Sequence, residues 1–259
     1  LNEWIKETRE ELGTEDRAPT LWQNLENEQV VSKGGAQFKK QKDGSWLGTG
    51  KNPSNDTYEI RSPFKSKQLS GVLIESFSDP SFKGIKFGRS GNGNFVMTGL
   101  EVRLEYKDQK KKPIVLKLDT AEASYEQSGY PAIQVIKNAS NLKKKGSKGW
   151  AVHGSNPSKE KSLMAMFTAK SPISVPEGAE LVINIYHQSG FSDHNIGRFR
   201  IQYAEKKVSS LDAKSGIPEN LVPLVRKNVE GLAPKELNQL KKYFRTEVEN
   251  PVSVAKINA

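Results

Sequence analysis

VLIESFSDPSFKGIKFGRSGNGNFVMTGLEVRLEY, residues 72–106, begins with an apolar run, Val72-Leu73-Ile74, that reads as a strand. A long loop follows, holding Asp79-Pro80 and the glycines Gly84, Gly88, Gly91 and Gly93, with Gly99 at its far end. From Leu100 to Tyr106, apolar and charged residues alternate at every step, the period-2 pattern of a half-buried strand. Two strands joined by a long glycine-rich loop imply a β-sandwich whose functional surface lies in its connections.

The same grammar extends on both sides. Short runs of β-formers sit between Gly, Pro, Asn, Asp and Ser clusters, at Ala36–Lys40, Thr57–Arg61, Val72–Phe77, Phe95–Tyr106, Ile114–Ala121, Ala132–Ile136, Gly149–His153, Leu163–Ala169, Glu180–His187 and Ile196–Tyr203. Asp43-Gly44, Asn52-Pro53, Lys112-Pro113 and Pro176-Glu177-Gly178 mark turns. The spacing, without βαβ alternation, predicts an all-β sandwich or jelly roll over residues 20–205. Both ends read as helical appendages. At 1–19, Trp4, Ile5, Thr8 and Leu12 recur near helical spacing, with Gly13 as a stop and Arg17-Ala18-Pro19-Thr20 as a linker. At 206–259, a polar linker, Lys206–Gly216, precedes two helical segments. Pro223 restricts the first, Ala233-Pro234 opens the second with Leu237, Leu240, Tyr243 and Phe244 on one face, and Asn250-Pro251 ends it.

Composition narrows the chemistry. The 259 residues contain no cysteine, which removes disulfides, thiolate metal sites, cysteine nucleophiles and covalent haem attachment. No apolar run approaches the roughly 20 residues of a membrane-spanning helix. The start at Leu1, without methionine or a signal-peptide pattern, suggests a piece of something longer. Forty Lys+Arg against thirty Asp+Glu give a net charge of +10, either a solvated lysine surface or the footprint of an anionic partner. The excess is lysine, without aromatic interleaving, and specific base readout favours arginine forks; specific nucleic-acid recognition is not expected.

The catalytic inventory is thin. His153, His187 and His194 fall in no metal-ligand spacing, and no nucleophile elbow, Walker loop or dinucleotide fingerprint is present. Gly88-Arg89-Ser90-Gly91-Asn92-Gly93-Asn94 lies between strands, so it reads as a tight loop with positive φ at several positions rather than a phosphate cradle. Glu75, Asp56, Asp79 and Asp193 are scattered, with no spacing that selects an acid/base pair. Aromatic residues beside loops are a better signal. Trp46 follows the Asp43-Gly44 turn, Trp150 follows the lysine-rich 143–148 segment, and Tyr130 and Phe191 sit in polar loops. Exposed ring faces stack on sugars, while Asn, Arg, Lys and His orient the hydroxyls. The expected ligand-binding set is therefore Trp46, Arg89, Asn92, Tyr130, Lys148, Trp150 and His194, with a core role for Trp46 and Trp150 left open.

Several blocks carry a family likeness. They are Asp43-Gly44-Ser45 with Asp56-Thr57-Tyr58; Leu73-Ile74-Glu75 with Asp79-Pro80-Ser81; Gly88-Arg89 with Asn92-Gly93-Asn94-Phe95-Val96; Ala121-Glu122-Ala123-Ser124-Tyr125-Glu126-Gln127; Gly149-Trp150-Ala151-Val152; and His194-Asn195-Ile196-Gly197-Arg198-Phe199-Arg200. In this order, over roughly residues 20–204, the chain resembles the β-rich module of planctomycete-type cytochrome-c-like multidomain proteins. The resemblance implies a galactose-binding-like (discoidin-like) jelly roll in an exported, periplasmic or cell-envelope-associated protein, flanked by further domains. It also implies a non-catalytic glycan-binding role, with anionic polysaccharide suggested by the basic surface, and a structural calcium ion on Asp79 and Asn138. The sequence departs from the family at Gly99 and at Asn138-Ala139, where the family tends to carry acidic residues, and it holds no haem site. The competing readings are an interdomain scaffold and a polysaccharide-active enzyme.

Overall fold

The computed structural model describes residues 1–12, 21–106, 108, 110–154, 159–211 and 219–249. The expected Gly13 stop, the 17–20 linker, much of the 206–216 linker and the Asn250-Pro251 stop lie outside the described residues. The chain divides into two compact units, Trp22–Lys207 and a second made of Leu1–Leu21 with Val208–Ala259.

The larger unit is a β-sandwich. Its strands are β1 (Gln23–Asn24), β2 (Gln29–Ser32), β3 (Ala36–Lys40), β4 (Trp46–Gly50), β5 (Asp56–Pro63), β6 (Gln68–Phe77), β7 (Val96–Met97), β8 (Gly99–Glu105), β9 (Ile114–Val115), β10 (Leu118–Ala123), β11 (Trp150–Ala151), β12 (Ser162–Ser174), β13 (Glu180–His187) and β14 (Arg198–Ala204). One antiparallel sheet runs β10-β12-β6-β14-β4-β3, with β1 also on β14; the other runs β2-β5-β13-β8-β9. The quartets β4-β14-β6-β12 and β5-β13-β8-β9 draw successive strands alternately from the chain, which is the jelly-roll order. The two strands of the 72–106 stretch thus belong to opposite sheets, and the glycine-rich loop between them crosses from one layer to the other.

Alternation sets which side chains face inward. Leu100, Val102 and Leu104 of β8 are buried, while Glu101, Arg103 and Glu105 face outward. Register aligns Val102 and Ile60 with Ile183 across β13, giving a continuous apolar row. On the outer face, Arg61 pairs with Glu59, Glu105 and Glu180, and Arg103 with Glu101 and Glu105. Such half-exposed pairs contribute about 1 kcal/mol or less each, so they fix polarity of the face more than stability. Between the sheets, Tyr58 stacks on Phe199 at 5.8 Å and Phe38 meets the Tyr58 ring edge-on at 4.7 Å.

Several expectations change. Phe95–Tyr106 and Ile114–Ala121 each divide into two strands, β7 and β8, and β9 and β10, that lie in different sheets. Ala132–Ile136 is not a strand but part of helix α2 (Ile133–Lys137). Its β-branched residues suggest a strand, yet Ala132, Val135 and Ile136 stand at i, i+3, i+4 and all reach the core, so helical spacing prevails over propensity. Trp46 begins strand β4 rather than sitting in a turn. In the 88–94 loop only Gly93 has positive φ (74°), whereas Gly88 is required by close backbone approach.

The smaller unit brings the two ends together. Helix α1 (Asn2–Leu12) contributes Ile5 to a core shared with Leu221, Leu224 and Val225 around α3 (Val222–Arg226) and Leu240 of α4 (Pro234–Tyr243). Trp4 packs on Tyr243 and Phe244 at 5.9 and 5.5 Å. At α4, the N–H of Ala233 donates to the Glu236 carboxylate at 2.9 Å, which satisfies a donor at the helix start. No helix of the described residues is long and apolar enough to cross a membrane.

Within the sandwich, β1 near its start pairs with β14 at its end, Gln23 opposite Tyr203. The excised segment Trp22–Lys207 is therefore expected to fold alone, with a single cooperative urea transition. A fragment that is soluble but shows no cooperative transition would refute this autonomy.

Candidate functional site

The connections at one end of the sandwich are stapled to one another. Those after β4, β6 and β13 meet through main-chain bonds from Arg89 N–H to Asn195 O (2.9 Å), Val96 N–H to His194 O (2.9 Å) and Asp193 N–H to Ser54 O (3.1 Å). The Asn52 amide donates to the carbonyls of Arg89 and Asp193, and the Asn195 amide to Asn52 Oδ1 and Pro53 O. The segment between β10 and β11 joins through Asn94 Nδ2 to Gln127 Oε1 (3.1 Å) and Ser147 N–H to Gln188 O (3.2 Å). A loop cluster with this many internal bonds presents its exposed side chains on a fixed backbone.

On that base stands an aromatic shelf. The rings of Tyr130 and Phe191 lie 6.3 Å apart and those of Phe191 and His194 5.3 Å apart, while Lys148 Nζ sits 5.4 Å from the Tyr130 centroid. Phe191 is 50% exposed, costly for a phenyl ring with nothing to cover it. It is held there: Ser189 Oγ donates to Phe191 O and accepts from its N–H. The His194 ring is oriented by a 2.7 Å bond between Nδ1 and Ser192 O. Beside the shelf, and sharing Lys148 with it, is a polar hollow of about 340 Å³ between α2 and the 141–148 loop.

Of the expected ligand-binding residues, Tyr130, Lys148 and His194 come together here, joined by Phe191. The others do not. Trp150 is fully buried, its Nε1–H donating to Tyr125 O at 2.9 Å and its ring edge-on to Phe95, so it has no face for a ligand. Trp46 is half-buried against the core and bonded through Nε1 to Glu28. The Arg89 guanidinium is spent on the carbonyls of Gly50 and Lys51, and Asn92 Oδ1 accepts from Ser90 and Asn94 within its own turn. Both shape the loop. Phe191, absent from the expected set, had only its neighbourhood of Asp193-His194 as a signal.

The calcium reading fares poorly on chemistry. Asp79 Oδ1 accepts from Ser81 and its Oδ2 pairs with Arg198; Asn138 donates to Thr98 O and Lys148 O, and its Oδ1 accepts from Gln134. Calcium takes six to eight oxygens, and these donors are already committed and share no partner. Among the described residues no three His, Asp or Glu side chains are placed to hold a metal ion together. Asp43 and Asp79 flank Arg198 at 2.6 and 3.2 Å. Burial works against their ionisation, but hydrogen bonds from Ser45 and Ser81 respectively, with Arg198, outweigh it and hold both below the usual carboxylate range. Such groups stay ionised at neutral pH and make poor general acids.

A larger cleft, about 750 Å³, lies at the opposite end among Phe64, Val175, Pro176 and Tyr106. Its Arg61, Glu105 and Glu180 are paired with one another, Lys65, Ser66, Lys67 and Glu177 also line it, and neither of its aromatic rings is as exposed as Phe191. The shelf is the better candidate.

Comparison with models of protein families, with curated proteins and with solved structures finds no match. The likeness to the cytochrome-c-like multidomain proteins rests on the sequence blocks alone.

Behind the shelf His187 is fully buried against Tyr58, its Nε2 accepting from Ile196 N–H at 3.2 Å. Burial lowers its pKa from 6.5 to about 3. The unfolded chain then binds a proton that the native state excludes, so stability is full above pH 6.5 and declines as pH falls toward 3. The urea midpoint is expected to drop between pH 6.5 and 5, before the carboxylates titrate, and His187→Gln to flatten that drop. A midpoint unchanged across this interval in the native protein would contradict the assignment. Trp150→Ala is expected to cost about 3–5 kcal/mol as a core truncation, read by urea unfolding; a loss under about 1 kcal/mol would show that the ring is not load-carrying in the core.

Proposed function

We propose that this chain is a non-catalytic carbohydrate-binding module that holds an oligosaccharide on the Tyr130–Phe191–His194 shelf. The observation that carries the reading is the solvent-facing Phe191 ring, fixed by Ser189 beside two further rings on a stapled loop base. Flat apolar ring faces match the C–H faces of pyranoses, and Lys148 and His194 supply polar contacts at the edge. The resemblance adds an exported, cell-envelope setting within a larger multidomain protein.

A scaffold role between domains is the second reading. It draws on the small helical unit in which residues from both ends of the chain share one core, so that the sandwich is carried as an insert.

Tyr130→Ala with Phe191→Ala is expected to weaken oligosaccharide binding about fivefold to 150-fold, taking about 0.5–1.5 kcal/mol per ring contact. Calorimetry on a panel of neutral and anionic oligosaccharides measures it, with unchanged urea stability as the control. A panel with no ligand, alongside co-purification with neighbouring domains, would favour the scaffold.

A further inference from the structure

The polar hollow next to the shelf has a composition that calls for its own ligand. It is lined by Gln134, Lys137, Asn138, Ser140, Asn141, Lys144, Gly146, Ser147 and Lys148, with no acidic residue among them. Of these, Lys137, Lys144 and Lys148 are cationic and exposed, and none has a carboxylate partner among the described residues.

The backbone around these lysines is closed on itself. Asn138 Nδ2 donates to Lys148 O at 2.8 Å and to Thr98 O at 2.7 Å, tying both ends of the 138–148 segment to β8's approach. Ser147 Oγ donates to Lys144 O at 2.7 Å, Lys144 N–H to Asn141 O at 3.0 Å, and Asn141 N–H to Asn138 O at 2.8 Å. Part of the local hydrogen-bonding capacity is thereby used within the loop, while the lysines have no carboxylate partner among the described residues. Like charges gathered on a pre-formed loop repel one another, and an anion relieves that repulsion. At about 340 Å³ the hollow holds roughly ten waters' volume, enough for a substituted hexose.

We propose that this hollow is an anion subsite of the same glycan-binding surface, taking the sulfate or carboxylate of a sugar whose neighbouring ring lies on Tyr130. Lys148 connects the two: its Nζ lies 5.4 Å from the Tyr130 centroid, and the residue also lines the hollow. The inference rests on the glycan reading of the shelf. A phosphodiester backbone is the less fitting partner, because the lysines converge on one hollow rather than tracking a groove.

The test titrates the full chain with oligosaccharides of a sulfated galactan, the same galactan desulfated, and a polyuronate. It compares the native protein with Lys137→Gln/Lys144→Gln and with Tyr130→Ala/Phe191→Ala, each checked for folding by circular dichroism. The expected result is at least tenfold tighter binding of one anionic polymer than of the desulfated galactan, weakening as salt rises. Lys137→Gln/Lys144→Gln should erase that preference and leave the neutral affinity unchanged, and Tyr130→Ala/Phe191→Ala should weaken every ligand. Whichever polymer is preferred tells sulfate from carboxylate. Equal binding of charged and desulfated polymers, or a preference that survives the lysine substitutions, overturns the subsite and leaves the shelf standing. A lysine-dependent preference indifferent to the shelf substitutions removes the shelf and keeps the subsite. Binding of no polymer overturns both, and duplex DNA binding as tightly as the anionic glycan overturns the subsite in favour of a general polyanion surface.

Discussion

A methyl group at position 88 would sit 1.9 Å from the carbonyl oxygen of Asn94, where no atom fits. That close approach is what allows the crossing between the two sheets to be made by backbone packed on backbone. Phe87 and Gly88 donate their N–H groups to Gly93 O at 3.0 and 2.6 Å, and Gly93 adopts a φ of 74° to return the chain. With the crossing drawn tight, Phe87 and Phe95 are delivered fully buried to the core on either side of it. The neighbouring connections then register against this crossing, through Arg89 to Asn195 and Val96 to His194.

The consequence for function is a surface with little freedom. Asparagines do much of the tying: Asn52, Asn94, Asn138 and Asn195 each satisfy groups from different loops with one planar amide. Buried or half-buried amides of this kind hold a geometry because each missed bond leaves a desolvated polar group. The exposed rings above them are thus displayed on a fixed backbone, whereas the lysine stems keep their rotamer freedom. The carboxylates around Arg198 and Arg61 are likewise paired.

The helical unit gives the sandwich its setting in the chain. Its core needs Ile5 from one end and Leu221, Leu224, Val225 and Leu240 from the other. Neither end has enough apolar surface to fold by itself, so the helices depend on meeting across the sandwich's length of sequence. Read as sequence, the two appendages are separate amphipathic segments; their mutual burial is a long-range fact.

What the residues settle locally, they settle well. The alternation in Leu100–Glu105 states both strand and inward face, because a period of two admits one buried side. The absence of cysteine and the lysine excess bound the chemistry without any coordinates. Local pattern could not say that the strands flanking the glycine-rich loop lie in different sheets, since pairing is chosen by partners distant in the chain. Nor could it separate Trp150, sealed against Phe95, from Phe191, left in solvent; both are aromatic residues beside polar loops, and burial depends on which remote segment arrives to cover the ring. The site has the same origin: Tyr130 and Lys148 come from the β10–β11 connection and Phe191 and His194 from the β13–β14 connection, and only packing of the sandwich makes the two neighbours.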